Sequence, residues 1–328
     1  MNGTPFKLGR FARGSEQFAA IALGEQAIEL TTANAAFRDA RRRGGVDADT
    51  IDGLLYNWDA NFAALQEIVA FLEKEGAERA APAKLADLRP LSPVHRPGKM
   101  FYAAQNFQEH VDEMIRSGMS KTAGGKEFTG DKKTTRPYLF LKAPSCLAGA
   151  SDDIQIPLGM KRIDWEAEIA LAIGKPGKRI KAEKALDHVA GFMTTNDVSC
   201  RDLQIREDRP ALRSDWLGGK CHDGFAPTGP FLVPRAFVPD HKKLFIRLTI
   251  NGVVKQNGNT SQFIFTPEEQ IEYASNILSL QSADVFVCGT CGGVGQGTHT
   301  FLKVGDVMET EVQGLGKMRN RFVEEKAA

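Results

Sequence analysis

The chain has 328 residues, which is long for one domain and sufficient for two, so it can bury a substantial hydrophobic core. Its 42 Lys and Arg against 41 Asp and Glu give a net charge of +1, which offers no electrostatic reason to expect nucleic acid or an anionic membrane as a partner. No stretch approaches the roughly 20 apolar residues of a membrane span, and five cysteines are an odd number that favours reduced thiols. We therefore expect a soluble, cytoplasmic protein whose partner is a small molecule.

The first part of the chain is predicted to be a small α+β unit. Residues 1–56 are typical of short strands and turns, including a hairpin that reverses at Gly24. Apolar residues then recur at helical spacing over residues 58–72, and Gly76 follows as a helix-ending residue.

A proline-rich stretch over residues 80–97 is predicted to be a domain boundary. We therefore divide the chain into a small N-terminal domain, residues 1–92, and a second domain, residues 93–328. The dense basic run at residues 41–43 is flanked by glycine and has no aromatic neighbours, so we interpret it as a solvated turn.

The second domain begins with a predicted strand at residues 100–103, a helix over 105–117 and a long polar excursion over 118–136. We expect this excursion, together with the N-terminal domain, to shape a pocket. One further clear helix is predicted at residues 267–278. Later strands are predicted at residues 138–141, 163–173, 189–194, 229–233, 244–250, 285–288 and 307–312. Strands dominate and no repeated βαβ pattern occurs, which predicts a strand-dominated α+β fold.

The predicted strand at residues 163–173 carries two glutamates, Glu166 and Glu168, at alternate positions. Side chains at i and i+2 of a strand lie on the same face, about 7 Å apart along the backbone. Two adjacent carboxylates need a cation, so they could converge on one ion. The alternative is a half-buried strand whose polar face is wet. The other face is predicted to meet a core through Trp165, Ala167, Ile169, Leu171 and Ile173.

Three other patterns carry chemistry. Asp197 follows an apolar strand, where it could bind a metal or cap a helix. His110 and Glu113 are three residues apart and share a helix face, either as an acid-base pair or as a surface ion pair. Cys288 and Cys291 have redox-motif spacing, but no helix is expected after them, so redox and zinc roles are disfavoured.

Together, five ordered motifs resemble the fumarylacetoacetate hydrolase family over about residues 95–322. The motifs are Asp-Trp-Glu-Ala-Glu-Ile-Ala (164–170), Asn-Asp-Val-Ser-Cys-Arg-Asp-Leu-Gln (196–204), Gly-Gly-Lys-Cys-His-Asp-Gly-Phe (218–225), Gln-Asn-Gly-Asn-Thr-Ser (256–261) and Gly-Thr-Cys-Gly-Gly-Val-Gly (289–295). The resemblance implies that the second domain is a mixed β-sandwich or β-roll. It also implies a homodimer.

The resemblance further implies a divalent metal, Mg2+ before Mn2+ or Ca2+, held by Glu166, Glu168 and Asp197. Three carboxylates are hard oxygen ligands and leave coordination positions for water and substrate. Some members of the family use a further Asp, but residues 100–104 contain no acid. We therefore expect three protein ligands.

Catalytic roles are carried over in the same way. His110 and Glu113 match a dyad that activates water, and Lys220 matches a lysine that contacts a substrate oxygen or a neighbouring carboxylate. The glycines after Thr290 could also offer backbone N–H groups to an anion. Cys200 and Cys291 depart from the usual pattern of the family and could alter the fit of a substrate. Substrate contacts are expected from Lys142, Arg201, Gln204 and Thr290.

The implied reaction is metal-dependent hydrolysis of a carbon-carbon bond in a β-diketo acid, such as an acylpyruvate or a fumarylacetoacetate-like compound. His110 would be the general base and Lys220 would stabilise the enolate. This chemistry is typical of aromatic or sugar acid catabolism. Two alternatives stay open: decarboxylation or tautomerisation of an oxaloacetate-like substrate at the same site, and a non-catalytic β-rich module with a structural Ca2+. Basic residues in the 118–136 excursion would suit an acidic substrate, although a solvated loop explains them equally well.

Overall fold

A computed structural model describes residues 3–42, 44–116, 128–209 and 211–326 of the protein. Its strands up to residue 173 are β1 (Lys7–Arg13), β2 (Glu16–Leu23), β3 (Gln26–Glu29), β4 (Ala83–Lys84), β5 (Arg89–Leu91), β6 (Met100–Ala103), β7 (Leu139–Lys142), β8 (Leu147–Ala148), β9 (Ile154–Ile156), β10 (Ile163–Asp164) and β11 (Ala167–Ile173). The later strands are β12 (Val189–Asn196), β13 (Ser199–Cys200), β14 (Ala226–Pro234), β15 (Phe245–Ile250), β16 (Val253–Asn259), β17 (Val285–Thr290), β18 (Val307–Val312) and β19 (Gly316–Glu324).

The α-helices are fewer than the strands and together cover less of the described chain. They are α1 (Leu30–Arg41), α2 (Ile51–Leu55), α3 (Trp58–Glu75), α4 (Gln108–Arg116), α5 (Ala182–Ala185), α6 (Arg201–Gln204), α7 (Trp216–Lys220), α8 (Pro267–Ile277) and α9 (Gly295–Thr298). The predicted strand-dominated α+β class is therefore confirmed. Within the described ranges, none of these helices combines the length and apolar character needed to cross a membrane.

The strands form two main layers. A 12-stranded sheet has the order β4-β3-β2-β1-β14-β12-β11-β17-β6-β7, with β5 and β8 paired beside this path, and a five-stranded sheet has the order β16-β15-β18-β19-β9. The N-terminal strands join the large sheet because β1 pairs with β14, with Leu8 opposite Leu232. The predicted division between residues 92 and 93 stays a prediction.

The N-terminal prediction is correct for the hairpin and for one helix but misses another. Strands β2 and β3 pair around Gly24, and α3 ends before Gly76. Helix α1 lies where only strands and turns were expected, because it buries just one apolar side chain per turn and so gives a weak periodic signal. The basic run is the end of this helix, since Arg42 adopts a left-handed C-cap conformation, and residue 43 lies outside the described residues.

Strand β11 lies near the middle of the large sheet and is buried on both faces. Ile169 and Leu171 pack in the core that also contains residues of the five-stranded sheet. Ala170 and Ala172 pack in a second core that includes residues of α3. The predicted apolar face is thus correct, but the opposite face is closed by N-terminal residues rather than wet.

The strand predicted over residues 163–173 is interrupted in the structure. Its first part ends at Asp164 and its second begins at Ala167, because side chains bind the intervening backbone N–H groups. The Asp164 carboxylate accepts from Trp165 N at 2.8 Å, and the Asn196 amide oxygen accepts from Glu166 N at 3.1 Å. Glu166 therefore lies in a bend, and the expectation that both glutamates lie within one strand is wrong.

The other predicted elements of the second domain occur within a few residues of their expected positions. Helix α4 begins at Gln108, later than expected, because Phe107 forms a β-bridge with Phe263. Helix α8 begins with a capping box between Thr266 and Glu269. The end of the predicted 105–117 helix and residues 118–127 of the polar excursion lie outside the described residues.

Candidate metal centre and active-site cavity

Three buried carboxylates converge where two neighbouring strands meet. Glu166 lies in the bend before β11, Glu168 lies in β11 and Asp197 directly follows β12. Asp197 N donates to Glu166 O at 2.9 Å, which fixes the two segments together. Oxygen atoms from the three side chains lie within 4.8 Å of one another. The three predicted metal ligands are therefore brought together.

Three cations compensate two of these carboxylates. The Lys220 ammonium is 2.8 Å from Glu166 Oε2 and 2.6 Å from Asp197 Oδ2. Lys142 Nζ is 2.8 Å from Asp197 Oδ1, and Arg201 Nη2 is 2.5 Å from Glu166 Oε1. None of the ion pairs among the described residues involves Glu168, which instead accepts a hydrogen bond from the backbone N–H of Gly289.

The uneven compensation has opposite effects on the two glutamates. Burial, reinforced by the charges of Asp197 and Glu166, raises the pKa of Glu168 well above its ordinary value. Burial would also raise the pKa of Glu166, but the charges of Lys220 and Arg201 outweigh it and lower that pKa. Of the three carboxylates, Glu168 is therefore the one whose negative charge is least compensated by the surrounding protein.

This arrangement fits a divalent cation. All three donors are carboxylate oxygens, which Mg2+, Mn2+ and Ca2+ prefer, and they are buried where an additional positive charge would stabilise Glu168. Lys142, Lys220 and Arg201 already contact both carboxylate oxygens of Asp197 and of Glu166, so Glu168 is the ligand whose charge a bound cation would compensate most. The identity of the metal stays a prediction.

The predicted dyad lies on α4. His110 Nδ1 is 3.5 Å from Glu113 Oε2, so the two side chains are adjacent and the imidazole can be oriented by the carboxylate. Glu113 is itself held in place, because both of its carboxylate oxygens accept from Gly293 N at 3.2 Å. This contact connects the dyad to the glycine-rich turn after β17.

A second polar network surrounds Arg201. Its Nε donates to Asp164 Oδ2 at 2.9 Å and its Nη1 donates to Gln204 Oε1 at 2.8 Å. The Asp164 carboxylate also accepts from the backbone N–H groups of Gly295 and Gln296. Sequence reasoning did not assign a role to Asp164, although its position two residues before Glu166 in the same motif was the available signal.

Thr290 is held from both sides. It lies opposite Glu168 in the β11–β17 register, and its Oγ1 donates to Ala167 O at 2.9 Å. The same oxygen accepts from Gln256 Nε2 at 2.8 Å. Gln256 therefore also fixes the position of Thr290. It belongs to the 256–261 motif, but sequence analysis assigned it no role.

The glycine-rich turn differs from expectation in two ways. A four-residue helix, α9, does follow it, although none was expected. In addition, the backbone N–H groups of Gly293 in the turn and of Gly295 at the start of α9 already bind the carboxylates of Glu113 and Asp164. These N–H groups therefore hold side chains in position rather than offering themselves to a ligand.

One cavity of about 830 Å3 opens onto this centre. It is lined by six of the predicted site residues, namely His110, Glu166, Arg201, Gln204, Lys220 and Thr290. Lys142 does not line it. Its fully buried ammonium donates hydrogen bonds to Asp197 Oδ1 and to the carbonyl oxygens of Val198 and Phe225. The structure thus gives Lys142 a supporting contact to the cluster in place of the expected substrate contact.

The polar excursion contributes to the cavity wall, as expected, through its described members Phe128, Thr135 and Arg136. The N-terminal residues behave differently. Among the described residues, the first to line the cavity is Ala103, so the N-terminal part of the chain supports the sheet from behind instead of shaping the pocket.

The cysteines near the site are buried thiols. Burial raises the pKa of Cys288 well above its ordinary value and raises the pKa of Cys291 to about 12. Burial also raises the pKa of Cys200. A high thiol pKa disfavours the thiolate that redox chemistry and metal binding require. None of these three sulfur-bearing residues belongs to the cavity wall.

Comparisons with known proteins identify chains of similar sequence and fold. Residues 99–323 match the model of the fumarylacetoacetate hydrolase C-terminal domain. The chain is 39% identical to a mitochondrial oxaloacetate tautomerase from Xenopus laevis over 71% of this chain and 68% of the relative. It is 37% identical to a mitochondrial oxaloacetate tautomerase from Homo sapiens over 75% of each chain.

Solved structures show the same fold over almost the whole chain. A fumarylacetoacetate hydrolase from Exiguobacterium antarcticum has a TM-score of 0.73 at 24% identity, with 98% of this chain and 100% of the other covered. A 5-carboxymethyl-2-hydroxymuconate delta-isomerase from Mycobacterium smegmatis has a TM-score of 0.68 at 25% identity, with 98% and 100% covered. The reactions in these names differ, although the fold is shared.

Proposed function

The chain belongs to the fumarylacetoacetate hydrolase family, and from this premise we propose that it is a metal-dependent enzyme that interconverts the keto and enol forms of an oxaloacetate-like 2-oxo acid. The observation that carries the proposal is that an acid-base group, His110, shares one cavity with Glu166 of the carboxylate cluster and with the cationic groups Arg201 and Lys220. The two tautomerases named above, at 39% and 37% identity, support the same reaction.

The proposed chemistry divides among the residues of the cavity. A divalent cation held by Glu166, Glu168 and Asp197 would polarise the 2-oxo group as a Lewis acid. Arg201 lines the cavity and would attract the substrate carboxylate by its charge and bind it through Nη1, because Nε and Nη2 are held by Asp164 and Glu166.

Proton transfer would be carried out by His110. Its imidazole takes the proton from carbon 3 of the substrate, and the resulting imidazolium gives that proton to the 2-oxo oxygen, so that the keto form becomes the enol with no atom gained or lost. Glu113 orients the ring from Nδ1. Lys220 places a positive charge beside the oxygen that becomes negative during the transfer.

Hydrolysis of a β-diketo acid is a second candidate. It needs the same enolate and, in addition, a water molecule from which His110 removes a proton. The size of the cavity, about 830 Å3, favours a substrate longer than a four-carbon acid and leaves room for that water. The new bond forms between the water oxygen and the distal carbonyl carbon, and the carbon-carbon bond breaks to an acid and an enolate.

An assay of the purified protein with Mg2+ distinguishes these reactions. Oxaloacetate would be followed by loss of its enol absorbance and by release of carbon dioxide, and an acylpyruvate by formation of two acids. We expect enol-keto conversion, while production of carbon dioxide or of two acids would identify a decarboxylase or a hydrolase. If none of these compounds reacted with Mg2+, Mn2+ or Ca2+, a non-catalytic module with a structural ion would be favoured.

Two variants test the site itself. Glu166→Gln should abolish both metal binding and turnover, because a ligand charge is lost from the cluster. His110→Ala should keep metal binding but lower kcat by about 100-fold or more, the usual contribution of a general base. Glu109→Gln is the matched control, since Glu109 is exposed on the same helix and bonds to Gln262 outside the cavity. Full turnover of His110→Ala would refute the acid-base role.

Assembly and location stay predictions. A homodimer follows from the family resemblance alone. The cytoplasmic location rests on the composition of the chain, whereas the two vertebrate relatives carry mitochondrial names.

A further inference from the structure

Three aromatic side chains lie in contact one after another along the cavity wall. The ring centroids of Phe140 and Trp216 are 4.6 Å apart with an interplanar angle of 24°, and those of Trp216 and Tyr138 are 5.6 Å apart with an angle of 40°. All three residues line the cavity. We call this set, Phe140, Trp216 and Tyr138, the aromatic wall.

The aromatic wall begins at the carboxylate cluster and ends in solvent. The Lys220 ammonium, which binds Glu166, lies 5.6 Å from the centroid of the Phe140 ring. Tyr138, at the other end, is 57% exposed. Trp216 begins the helix that ends at Lys220, so one short element presents both the cation and the central ring.

The cavity is larger and more apolar than a four-carbon diacid requires. Cavities of about 300–1,000 Å3 suit drug-sized ligands, and this one, at about 830 Å3, lies in the upper part of that range. Outside the polar cluster more of the lining residues are apolar than polar, with Met114, Phe128 and Phe265 in addition to the aromatic wall, although Arg136 and Arg213 also line the cavity. Exposed aromatic surface inside a cavity is typical of a binding site.

We propose that the aromatic wall is a subsite for an aryl ring, so that the preferred substrates are 2-oxo acids that carry an aryl group. The inference rests on the proposed function, because the cluster and Arg201 are taken to hold the 2-oxo acid head. With the head at this position, the tail follows Phe140 and reaches Trp216. An aryl ring can stack there in the offset or tilted geometry that aromatic pairs prefer.

The test compares substrates that differ only in the ring. One pair is acetylpyruvate and benzoylpyruvate, for which kcat/KM is measured. The other pair is pyruvate and phenylpyruvate, for which the rate of keto-enol exchange is measured. Stacking and burial of the ring both favour the phenyl compound, so we expect it to be preferred by about tenfold, which is equivalent to about 1.4 kcal/mol. Equal rates within each pair would overturn the inference while leaving the proposed function intact.

Variants of the aromatic wall should reduce this preference. In Trp216→Leu and in Tyr138→Ala, the phenyl-to-methyl ratio of kcat/KM should fall by about fivefold or more, since a stacking partner is lost. The matched control is Leu217→Ala, because Leu217 is 73% exposed, follows Trp216 in the same helix and does not line the cavity. An unchanged ratio in both variants would contradict the proposal. Tyr138→Ala covers the case in which Trp216→Leu does not fold, because Tyr138 is the more exposed ring.

Direct binding separates this inference from the proposed function. Calorimetric titration of the Mg2+-loaded protein with phenylpyruvate and with pyruvate measures the ring contribution without turnover. If no compound reacts but phenylpyruvate binds more tightly, and Trp216→Leu removes the difference, the subsite is supported and the proposed function fails. If instead an unsaturated dicarboxylic 2-oxo acid binds more tightly than phenylpyruvate and Arg136→Gln abolishes that advantage, the cavity recognises a distal acid and the aryl assignment is wrong.

Discussion

Replacement of Lys220 by methionine tests whether the carboxylate cluster depends on its buried cation. Lys220 has ion pairs of 2.8 Å with Glu166 and 2.6 Å with Asp197, and its side chain is 3% exposed. Removing one partner of a buried ion pair costs about 3–5 kcal/mol, because the remaining charge is left buried and uncompensated. We therefore expect Lys220→Met to lower the free energy of unfolding by about this amount in the presence of EDTA.

The same variant should respond more strongly to metal. Without Lys220, Glu166 and Asp197 have more uncompensated negative charge, so Mg2+ should raise the melting temperature of the variant by more than that of the wild type. The entropy of unfolding of 328 residues is roughly 0.7 kcal/mol/K, so a loss of about 3–5 kcal/mol in EDTA should lower the melting temperature by about 4–7 °C. Thermal and urea unfolding, each with EDTA and with Mg2+, measure both effects.

Lys132→Met is the control for this experiment. Lys132 has an ion pair of the same 2.8 Å length with Glu269, but its side chain is 50% exposed. An exposed pair contributes about 0–1 kcal/mol, so the control should melt close to the wild type. The reasoning is refuted if Lys220→Met and Lys132→Met are equally stable in EDTA, or if Mg2+ stabilises Lys220→Met no more than the wild type.

Two further predictions concern charges outside the cluster. Burial would raise the pKa of Glu268, but its contact with His241, 3.2 Å away, outweighs burial and lowers that pKa to about 2. The free energy of unfolding should therefore fall by about 1 kcal/mol, after allowance for solvent screening, as the pH falls from 4.5 towards 2. Urea unfolding at pH 5, 4 and 3 measures this change, and Glu268→Gln should make the free energy of unfolding depend less on pH. Asp164→Asn should raise KM about tenfold with a smaller effect on kcat, because Arg201 loses a charged partner that positions it; steady-state kinetics that showed an unchanged KM would exclude this positioning role.

The sequence was sufficient to predict which residues meet at the site. Alternation in the sequence predicted that Glu166 and Glu168 meet, whereas their convergence with Asp197 was implied by the resemblance of the ordered motifs to the family. His110 and Glu113 were predicted from helical spacing alone, and they are adjacent on α4. The glutamate pair and the His110–Glu113 pair depend on local periodicity, which a single sequence displays.

The sequence was not sufficient to predict contacts between distant segments. Lys142 and Asp197 are 55 residues apart, and nothing local shows that the Lys142 ammonium is buried against that carboxylate. The break before β11 likewise depends on Asn196, which binds Glu166 N from the adjacent strand. Burial of the second face of β11 depends on α3, whose Trp58 packs so close to Gly174 that a Cβ there would lie 2.8 Å from it. Such tertiary contacts override local pattern.

The pairing of β1 with β14 has a consequence for how the chain behaves when shortened. The family match begins at residue 99, so a chain trimmed to that point would lack β1 and would leave the main-chain N–H and C=O groups that face Leu8 and Gly9 without partners. An unprotected strand edge can add a strand from another molecule, which promotes aggregation. The N-terminal segment therefore also prevents strand addition from another molecule at β14, because β1 occupies that edge.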